Sequence, residues 1–367
     1  MIRVLHVISD SNIGGAGRVV LNYLRCRDRE RFETLLAVPR GSLLKAPAET
    51  LGGKVYEVDG LAERSFHPDD VKALAKLMRA LKPDVVHTHG ALSARLAAKR
   101  CGVPAIVMTK HCPASRGSVL RRAAQHMADS VLTDAVIAVS DAVGKQLAAS
   151  GTPERLIHVV YNGIDLVEPY QGAEREALRE KLGMDAAHRW IGVAARLERV
   201  KGVDLFLEAA KRLAGREDLR FMVFGTGSEE NALRAQAAPM GEAVRFGGFI
   251  DNVEQAFALL DVTVVPSRAE AFCLSAAESL SVGTPVAAFA VDGVGEVVRD
   301  GETGLLARAE DTDALAEAIA RLADDEELRR RLGENGKRVV REQFTADGMA
   351  RRIETIYERV LAKRGRR

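Results

Sequence analysis

The chain has 367 residues, a net charge of +2, 47% hydrophobic and 28% charged residues, and four cysteines. Its length favours two domains over one and is ample for burying a core. The cysteines have no regular spacing, which argues against a disulfide framework or a zinc site and predicts a reducing, cytoplasmic location. The N-terminus is predicted to be a strand and not a signal peptide. No apolar run approaches the roughly 18 residues of a membrane span.

The charge is unevenly distributed along the chain. Up to residue 167 there are about 23 Lys and Arg against about 16 Asp and Glu, whereas the remainder has about 30 against about 35. Seven of the eight histidines also lie in the first half. The two halves are therefore predicted to meet different partners, the basic half an anionic one. We expect no nucleic-acid partner, and the sequence leaves the oligomeric state open.

The first half alternates short β-rich runs with helical patterns such as DDVKALAKLMRAL and ALSARLAAKRC. Continuous apolar strands in a βαβ rhythm favour a parallel sheet that is covered on both faces. The predicted strands are IRVLHVIS, ETLLAV, KVYEV, DVVHTH, PAIVMT, AVIAVS and LIHVV.

The rhythm stops at YNGIDLVEPYQG (residues 161–172), a predicted linker, and then restarts with RWIGVAA, RFMVFG, AVRFGG, VTVVPS, PVAAFA and GLLAR. This pattern predicts an α/β fold with two doubly wound, Rossmann-like domains facing across a cleft. The expected domains are 1–167 and 168–345, with a C-terminal helix of about 346–367 packing back on the first. Ligands of such sheets bind at the carboxyl ends of the strands.

A double glycine, Gly14-Gly15, follows the first predicted strand. Neither this loop nor GTGSEE at 225–230 has the third small residue of a dinucleotide fingerprint, which argues against a nicotinamide cofactor. A glycine loop that leads into a helix N-terminus nevertheless suits a phosphate. A plain tight turn is the alternative for this loop.

Two segments of the second half carry candidate ligand-binding side chains. ARLERVKG places Arg196 and Lys201 after a strand, where both could bind a diphosphate or be solvated surface charges. In PSRAEAFCLSAAESLSVGTPV, Glu270 lies in a loop and Glu278 in a helix, and the two are predicted to hold different parts of one long ligand. The amides around residues 272–274 begin that helix and could meet phosphate.

The ordered set of motifs resembles the retaining GT-B glycosyltransferases of the family 4 type, over essentially the whole chain. The matching motifs are Gly14-Gly15, His87-Thr88-His89, Tyr161-Asn162-Gly163-Ile164-Asp165, Arg196-Leu197-x-x-x-Lys201-Gly202, Phe224-Gly225-x-Gly227, Glu270-x7-Glu278 within P-S-x-x-E-x-F, and Gly283-x-Pro285. One departure is Cys273, where family members commonly have glycine.

The resemblance implies a role for each of these residues. Glu278 would bind the nucleotide ribose hydroxyls, Glu270 the donor-sugar hydroxyls, and Arg196 and Lys201 the diphosphate. Of the histidine motif, His89 would be the one at the sugar and acceptor. The implied donor-binding set also includes Gly14, Gly15, Gly227, Phe272, Cys273 and Leu274.

Two further motifs point elsewhere. Asp311-Thr312-Asp313 mimics a metal-binding DxD motif, but it precedes ALAEAIARLA and is predicted to be the start of a helix. His111-Cys112 lacks the partners of a metal site, and His111 is predicted either to line the cleft or to be structural. We therefore expect no metal ligands and no cofactor.

The implied activity is transfer of a sugar from a nucleoside-diphosphate sugar, with uridine as the commonest base, to an acceptor hydroxyl with retained configuration. A glycolipid or cell-envelope polysaccharide precursor is one possible acceptor. The alternatives are a nucleotide-sugar isomerase of the 2-epimerase type and a non-catalytic nucleotide-sugar binding module. Segment 115–132, with Arg116, Arg121 and Arg122, could place a basic amphipathic helix on the inner membrane face or merely pack on its own sheet.

Overall fold

The computed structural model describes residues 1–61, 65–112 and 118–365. The chain divides into two compact units, one formed by Met1–Asp165 and Thr345–Arg367 and the other by Leu166–Phe344. The first division falls within the predicted linker. Each unit has a sheet and hydrophobic clusters of its own.

The first unit has a seven-stranded parallel sheet with strand order β3-β2-β1-β4-β5-β6-β7. All seven predicted strands are confirmed. Val4 and Leu5 of β1, an interior strand of this sheet, are fully buried, as expected where helices cover both faces, and each such side chain stabilises the fold by about 1.5–3 kcal/mol. The strands are β1 (Ile2–Val7), β2 (Phe32–Pro39), β3 (Lys54–Val58), β4 (Val85–Thr88), β5 (Ala105–Lys110), β6 (Ala135–Ala138) and β7 (Ile157–Val159).

Helices of the first unit connect these parallel strands. They are α1 (Gly15–Cys26), α2 (Lys45–Thr50), α3 (Pro68–Leu81), α4 (Leu92–Arg100), α5 (Val119–Leu132) and α6 (Asp141–Ala149). Ser118 caps α5 and Ser140 caps α6, each accepting a hydrogen bond from a first-turn amide. Residues 115–117 of the predicted membrane segment lie outside the described residues.

The second unit repeats the arrangement with a six-stranded parallel sheet of order β10-β9-β8-β11-β12-β13, and its six predicted strands are confirmed. The strands are β8 (Arg189–Ala194), β9 (Leu219–Phe224), β10 (Val244–Gly248), β11 (Val262–Val265), β12 (Val286–Phe289) and β13 (Gly304–Ala307). The helices are α7 (Gly172–Lys181), α8 (Val203–Arg212), α9 (Glu230–Ala237), α10 (Val253–Phe257), α11 (Leu274–Val282), α12 (Val294–Val297), α13 (Thr312–Asp324) and α14 (Glu326–Gln343).

The last helix, α15 (Ala346–Gly365), belongs to the first unit and packs against α1 and β5. Its start is joined to the linker by a parallel bridge between Ile164 and Thr345. A Cβ at Gly163 would lie 2.3 Å from the Thr345 carbonyl oxygen, so only glycine permits this approach.

Asp311 is the N-cap of α13, and its side chain accepts a hydrogen bond from the Ala314 amide at 3.0 Å. This confirms that Asp311-Thr312-Asp313 begins a helix. Over the three described ranges, every helix is too short or too polar to cross a lipid bilayer.

Candidate functional site

An ion pair joins two loops at the carboxyl ends of β8 and β11. Lys201 Nζ donates to Glu270 Oε1 at 2.7 Å, and Ser267 Oγ donates to the same oxygen at 2.9 Å. The Glu270 amide donates to Asp292 Oδ2 at 3.2 Å, and its carbonyl accepts from the Gly293 amide at 3.0 Å. The Glu270 carboxylate is therefore held in one orientation while its side chain keeps 12% exposure.

These two loops are fastened to each other independently of the ion pair. The Arg268 guanidinium binds both carboxylate oxygens of Asp204, at 2.8 and 2.7 Å, and the Arg268 amide donates to the Val200 carbonyl at 2.9 Å. Gly202 has φ +65°, and a Cβ there would lie 1.9 Å from the Pro266 carbonyl oxygen. Glycine is thus required for the backbone contact that brings Lys201 beside Glu270.

Arg196 and Gly227 lie on neighbouring loops of the second sheet. Arg196 follows β8, is largely exposed, and donates from Nη1 to Glu198 Oε1 at 3.0 Å. A Cβ at Gly227 would lie 2.4 Å from the Leu197 carbonyl oxygen. The structure thus gives Gly227 a packing reason for being glycine, alongside its predicted role in donor binding.

Helix α11 begins at Leu274, directly after the Glu270 loop, and leaves first-turn amides at that end. Its N-cap is Cys273, a buried residue in the left-handed conformation with φ +81°. Phe272 is buried in an edge-on contact with Phe344, so its side chain serves packing while its backbone begins the helix. Glu278 lies one turn into the helix and is 6% exposed.

In the first unit, Gly14 and Gly15 lie where they were predicted, between β1 and α1. Gly14 is the N-cap of α1 and Gly15 its first residue. A Cβ at Gly14 would lie 3.2 Å from Asp10 Oδ2, and Gly15 is exposed. The two glycines leave the N-terminus of α1 free of bulky side chains, and the phosphate-binding role of this loop stays a prediction.

The first sheet also brings four histidines together. His6 of β1 and His87 of β4 are paired in register, and His89 and His111 follow β4 and β5. Neighbouring rings have centroids 4.6–5.4 Å apart and are stacked in three of the four pairs, the His6–His87 pair being tilted. Tyr357 of α15 reaches the cluster from the other end of the chain, with its ring 5.6 Å from that of His87.

Hydrogen bonds connect these groups in a single line. The bonded pairs are Thr109 Oγ1 with His87 Nε2 at 2.6 Å, His87 Nδ1 with Tyr357 Oη at 2.6 Å, Tyr357 Oη with His6 Nε2 at 3.4 Å, His6 Nδ1 with His89 Nε2 at 3.1 Å, and His89 Nδ1 with His111 Nε2 at 2.7 Å.

Burial keeps these imidazoles neutral. It is the first cause that lowers the pKa of His6, His87 and His89 well below the ordinary value, and neighbouring imidazoles lower it further. Burial, aided by Lys110, lowers the pKa of His111 to about 4. At neutral pH, one of the two nitrogens of each ring therefore carries a hydrogen and the other does not.

The ring nitrogens of His6, His87 and His89 lie within 4.8 Å of one another, and neutral imidazole is a ligand for several transition metals. These nitrogens already bond to one another, to Tyr357 or to Thr109, so an ion would have to displace those bonds. The adjoining cavity has a volume of about 10 Å³, which is too small for a sugar.

The sequence predicts part of this cluster. It indicates His89, whose two ring nitrogens are both occupied by neighbouring histidines, and leaves His111 undecided. It does not indicate His6 or Tyr357. The position of His6 in the first strand was a usable signal, whereas nothing in the sequence near Tyr357 indicates that α15 returns to β1 and β4.

Two models of known protein families match this chain, and each match lies largely within one of the two units. A model described as Glycosyltransferase Family 4 matches residues 13–168, and one described as Glycosyl transferases group 1 matches residues 174–339. The D-inositol 3-phosphate glycosyltransferase of Xylanimonas cellulosilytica is 33% identical over 316 residues, covering 77% of this chain and 73% of that protein. The chain belongs to the family 4 type of GT-B glycosyltransferases.

Two further proteins show how far this likeness extends. The N-acetyl-alpha-D-glucosaminyl L-malate synthase of Bacillus anthracis is 29% identical over 62% of this glycosyltransferase chain and 60% of its own length. The chain thus spans about three fifths of that relative. The structure of Anabaena HepE in complex with UDP and glucose aligns with a TM-score of 0.85 at 21% identity, covering 98% of this chain and 100% of that one, which shows the same fold.

Proposed function

We propose that this glycosyltransferase moves a sugar from a uridine-diphosphate sugar to an acceptor hydroxyl with retained anomeric configuration. The observation that carries the proposal is the Lys201–Glu270 ion pair at the strand ends, beside the N-terminus of α11. A cation and helix amides suit a diphosphate, and a fixed carboxylate suits sugar hydroxyls. The presence of UDP and glucose in the HepE complex supports uridine as the base.

The geometry favours departure of the diphosphate over covalent catalysis. Glu270 Oε1 already accepts hydrogen bonds from Lys201 and Ser267, which lowers its nucleophilicity and leaves the carboxylate as a fixed acceptor for hydroxyls. Lys201, Arg196 and the α11 amides would stabilise the charge that develops on the leaving group. A phosphate oxygen then takes the acceptor proton, and the oxocarbenium-like sugar is captured on the face the phosphate leaves, without a divalent metal.

The residue assignments follow the same logic. Glu278 is proposed to bind the ribose and Glu270 the sugar. The backbones at Gly14, Gly15, Gly227 and residues 272–274 are proposed to approach the donor phosphates. His89 is proposed to support the sugar site through the histidine cluster and not as an obligatory base.

Replacing Lys201 tests the diphosphate assignment. Lys201→Ala is expected to reduce kcat by about 10²-fold or more, because leaving-group charge develops in the transition state. Lys211→Ala, which removes an exposed lysine from α8, is the matched control and should retain activity. The readout is UDP release from candidate UDP-sugars with acceptor present. Near-normal kcat/KM in both Lys201→Ala and Arg196→Ala would contradict the assignment.

The same assay separates the alternative functions. A transferase releases UDP in step with acceptor, a 2-epimerase converts the sugar nucleotide without needing an acceptor, and a binding module does neither. NMR of the first product reports the anomer, and an inverted linkage would refute retention. Unchanged turnover in EDTA is expected if no divalent metal takes part.

An anionic acceptor is proposed from the basic first half and from the two relatives. Their names contain L-malate and inositol 3-phosphate, both anionic molecules that carry hydroxyl groups. The acceptor class proposed here is therefore an anionic hydroxyl compound, either small or presented as a glycolipid or cell-envelope precursor. A panel of anionic and neutral acceptors, assayed by UDP release, would contradict this if neutral acceptors were preferred.

A lipid contact is proposed for α5 because its apolar side chains lie open. Val119, Leu120 and Met127 are 71%, 83% and 66% exposed, and Arg121 and Arg122 are exposed beside them. An exposed helix with apolar and basic residues suits an anionic lipid surface. Flotation with phosphatidylglycerol vesicles should recover the protein at low salt and lose it in Leu120→Glu. Failure to float at both low and physiological salt would rule out the contact.

A further inference from the structure

The two oxygens of the Glu270 carboxylate have different surroundings. Oε1 accepts hydrogen bonds from Lys201 Nζ at 2.7 Å and from Ser267 Oγ at 2.9 Å, and these two donors fill its two acceptor positions. Oε2 accepts no hydrogen bond from any residue that the structure describes, and it is not one of the unpaired polar atoms that are shut off from solvent. The carboxylate therefore has one oxygen turned towards the protein and one open to a ligand.

The backbone of Glu270 is fixed from a third loop. Its amide donates to Asp292 Oδ2, and its carbonyl accepts from the amide of Gly293, both of which follow β12. The freedom left to Glu270 is rotation about its side-chain bonds. Lys201 alone would not stop this rotation, because a lysine ammonium is a point charge on a flexible stem and can follow either oxygen.

Ser267 restricts the rotation that Lys201 would permit. It lies three residues before Glu270 on the same loop and is 3% exposed. Within the described part of the chain, its hydroxyl makes its one hydrogen bond to Glu270 Oε1. Turning the carboxylate away would break that bond and leave a buried hydroxyl unpaired, which is costly. Ser267 therefore holds one oxygen of the carboxylate inward and leaves the other pointing out.

We propose that Ser267 is a positioning residue which holds Glu270 Oε1 inward and so presents Oε2 to a hydroxyl group of the transferred sugar. A carboxylate oxygen accepts hydrogen bonds and does not donate them, so the group selected at this point is a hydroxyl, and a sugar carboxylate is rejected there. Ser267 acts through Glu270 and not on the substrate itself. This role rests on the sugar transfer proposed above.

Replacing Ser267 tests the role, since Ser267→Ala removes the hydroxyl and leaves the Lys201–Glu270 ion pair in place. The donor is whichever of UDP-glucose, UDP-galactose and UDP-N-acetylglucosamine the wild type uses best. Its kcat/KM should fall about tenfold or more, as expected for a lost hydrogen bond to a charged group. The Kd of UDP, measured by calorimetry, should change less than about twofold because UDP has no sugar. An unchanged kcat/KM, or an equal loss of UDP affinity, would overturn the proposal.

A double replacement shows whether Ser267 acts through Glu270. Glu270→Ala removes the carboxylate, so adding Ser267→Ala to it should reduce kcat/KM no further. Radiolabelled donor allows these slow rates to be measured. The losses in the two single variants should therefore be strongly non-additive, as for residues that act as one unit. Additive losses would mean that Ser267 acts independently of Glu270 and would overturn the proposal.

The matched control is a second buried serine of the same unit. Ser279 Oγ bonds to Thr263 Oγ1 at 2.8 Å and to the Thr284 carbonyl at 2.9 Å. Ser279→Ala should lower stability and leave kcat/KM unchanged, and a loss of kcat/KM equal to that in Ser267→Ala would assign the effect to destabilisation and overturn the proposal. A wild type that uses none of the UDP-sugars would contradict the proposed function itself. An active wild type with an unaffected Ser267→Ala would contradict the positioning role alone.

Discussion

At the residue scale, Cys273 combines two unusual properties. It is a non-glycine residue with φ +81°, and it is buried at the start of α11. Burial is the first cause that raises the pKa of its thiol to about 12, and the nearby Glu270 charge raises it further. The helix N-terminus, which favours a thiolate, is outweighed, so the thiol is protonated at neutral pH.

An alanine variant is usually more stable than a glycine variant at the same position, and the left-handed backbone at Cys273 reverses that order. Both Cys273→Ala and Cys273→Gly lose the thiol, but only alanine keeps a Cβ in that conformation. Glycine should be the more stable by about 0.5–1 kcal/mol, after allowing for its larger unfolded-state entropy. Urea unfolding followed by the fluorescence of Trp190, the single tryptophan, measures this difference.

A neighbouring position provides the control. Ala271 has a negative φ, so Ala271→Gly should follow the ordinary order and destabilise the protein by about 0.5–1 kcal/mol. Equal stability of Cys273→Ala and Cys273→Gly would show that the left-handed conformation is not maintained in solution.

At the element scale, α5 is attached to α4 by polar groups and not by an apolar face. Asp129 is the single buried residue that the described part of α5 contributes. Its carboxylate accepts from Arg95 at 2.6 Å, Gln125 at 2.8 Å and Thr152 at 2.7 Å. One carboxylate thus replaces the apolar stripe by which a surface helix normally packs.

Replacing Asp129 should therefore destabilise the first unit far more than replacing the acidic partner of an exposed ion pair. Asp129→Ala leaves the buried Arg95 charge unpaired and is expected to destabilise the first unit by about 3–5 kcal/mol. Asp59→Ala breaks the solvent-screened, exposed pair with Arg40 and should leave the stability of the first unit nearly unchanged. Amide hydrogen exchange in α4 and β6 reports the loss.

A double replacement distinguishes the charge from the packing. Arg95→Met with Asp129→Leu removes both buried charges and should regain most of the stability lost in Asp129→Ala. A loss below about 1 kcal/mol in Asp129→Ala would mean that α5 is not attached through this pair.

At the scale of the whole molecule, the histidine cluster joins the two ends of the chain. β1 contributes His6 and α15 contributes Tyr357, 351 positions apart. Burial lowers the pKa of His6, His87, His89 and His111. In the unfolded chain these imidazoles bind protons near pH 6.5, whereas in the folded unit they stay neutral at that pH. The cluster therefore links the stability of the first unit to pH.

The sign of this dependence is determined by the lowered values. The stabilisation is fully present above about pH 6.5 and is lost as the pH falls towards the folded pKa, which is about 4 for His111. Below pH 6, the free energy of unfolding of the first unit should fall by about 1 kcal/mol per pH unit for each buried histidine. Hydrogen exchange of β1 and β4 from pH 7 to 5, corrected for intrinsic rates, measures it.

The second unit is an internal control for this experiment, since it contains a single histidine, His188. Exchange-derived stability of β8 and β9 should change far less over the same interval. Parallel losses in both units would assign the pH dependence to groups other than the histidine cluster.

Much of this architecture is readable from the sequence because its signals are local. Continuous apolar runs between helical patterns predicted all thirteen strands, and the Asp311 cap was predicted from the residues that follow it. The candidate donor loops can also be predicted from the strands. In a parallel sheet every βα loop lies at the same edge, so knowing the strands identifies the loops.

The contacts within the site were decided by tertiary structure. The sequence placed Lys201 and Glu270 on separate loops, but their 2.7 Å ion pair depends on strand order and on the backbone approach at Gly202. The charge state of Cys273 depends on burial, which outweighs the effect of the α11 N-terminus on the thiol.

The sequence by itself determined two doubly wound units and the motifs at their strand ends, because hydrophobic period and glycine spacing are properties of neighbouring residues. Only the tertiary structure decided that His6, His89 and Tyr357 form one hydrogen-bonded line. Hydrogen bonds between groups 83 and 351 positions apart leave no trace in local pattern, because these groups become neighbours only when the chain folds.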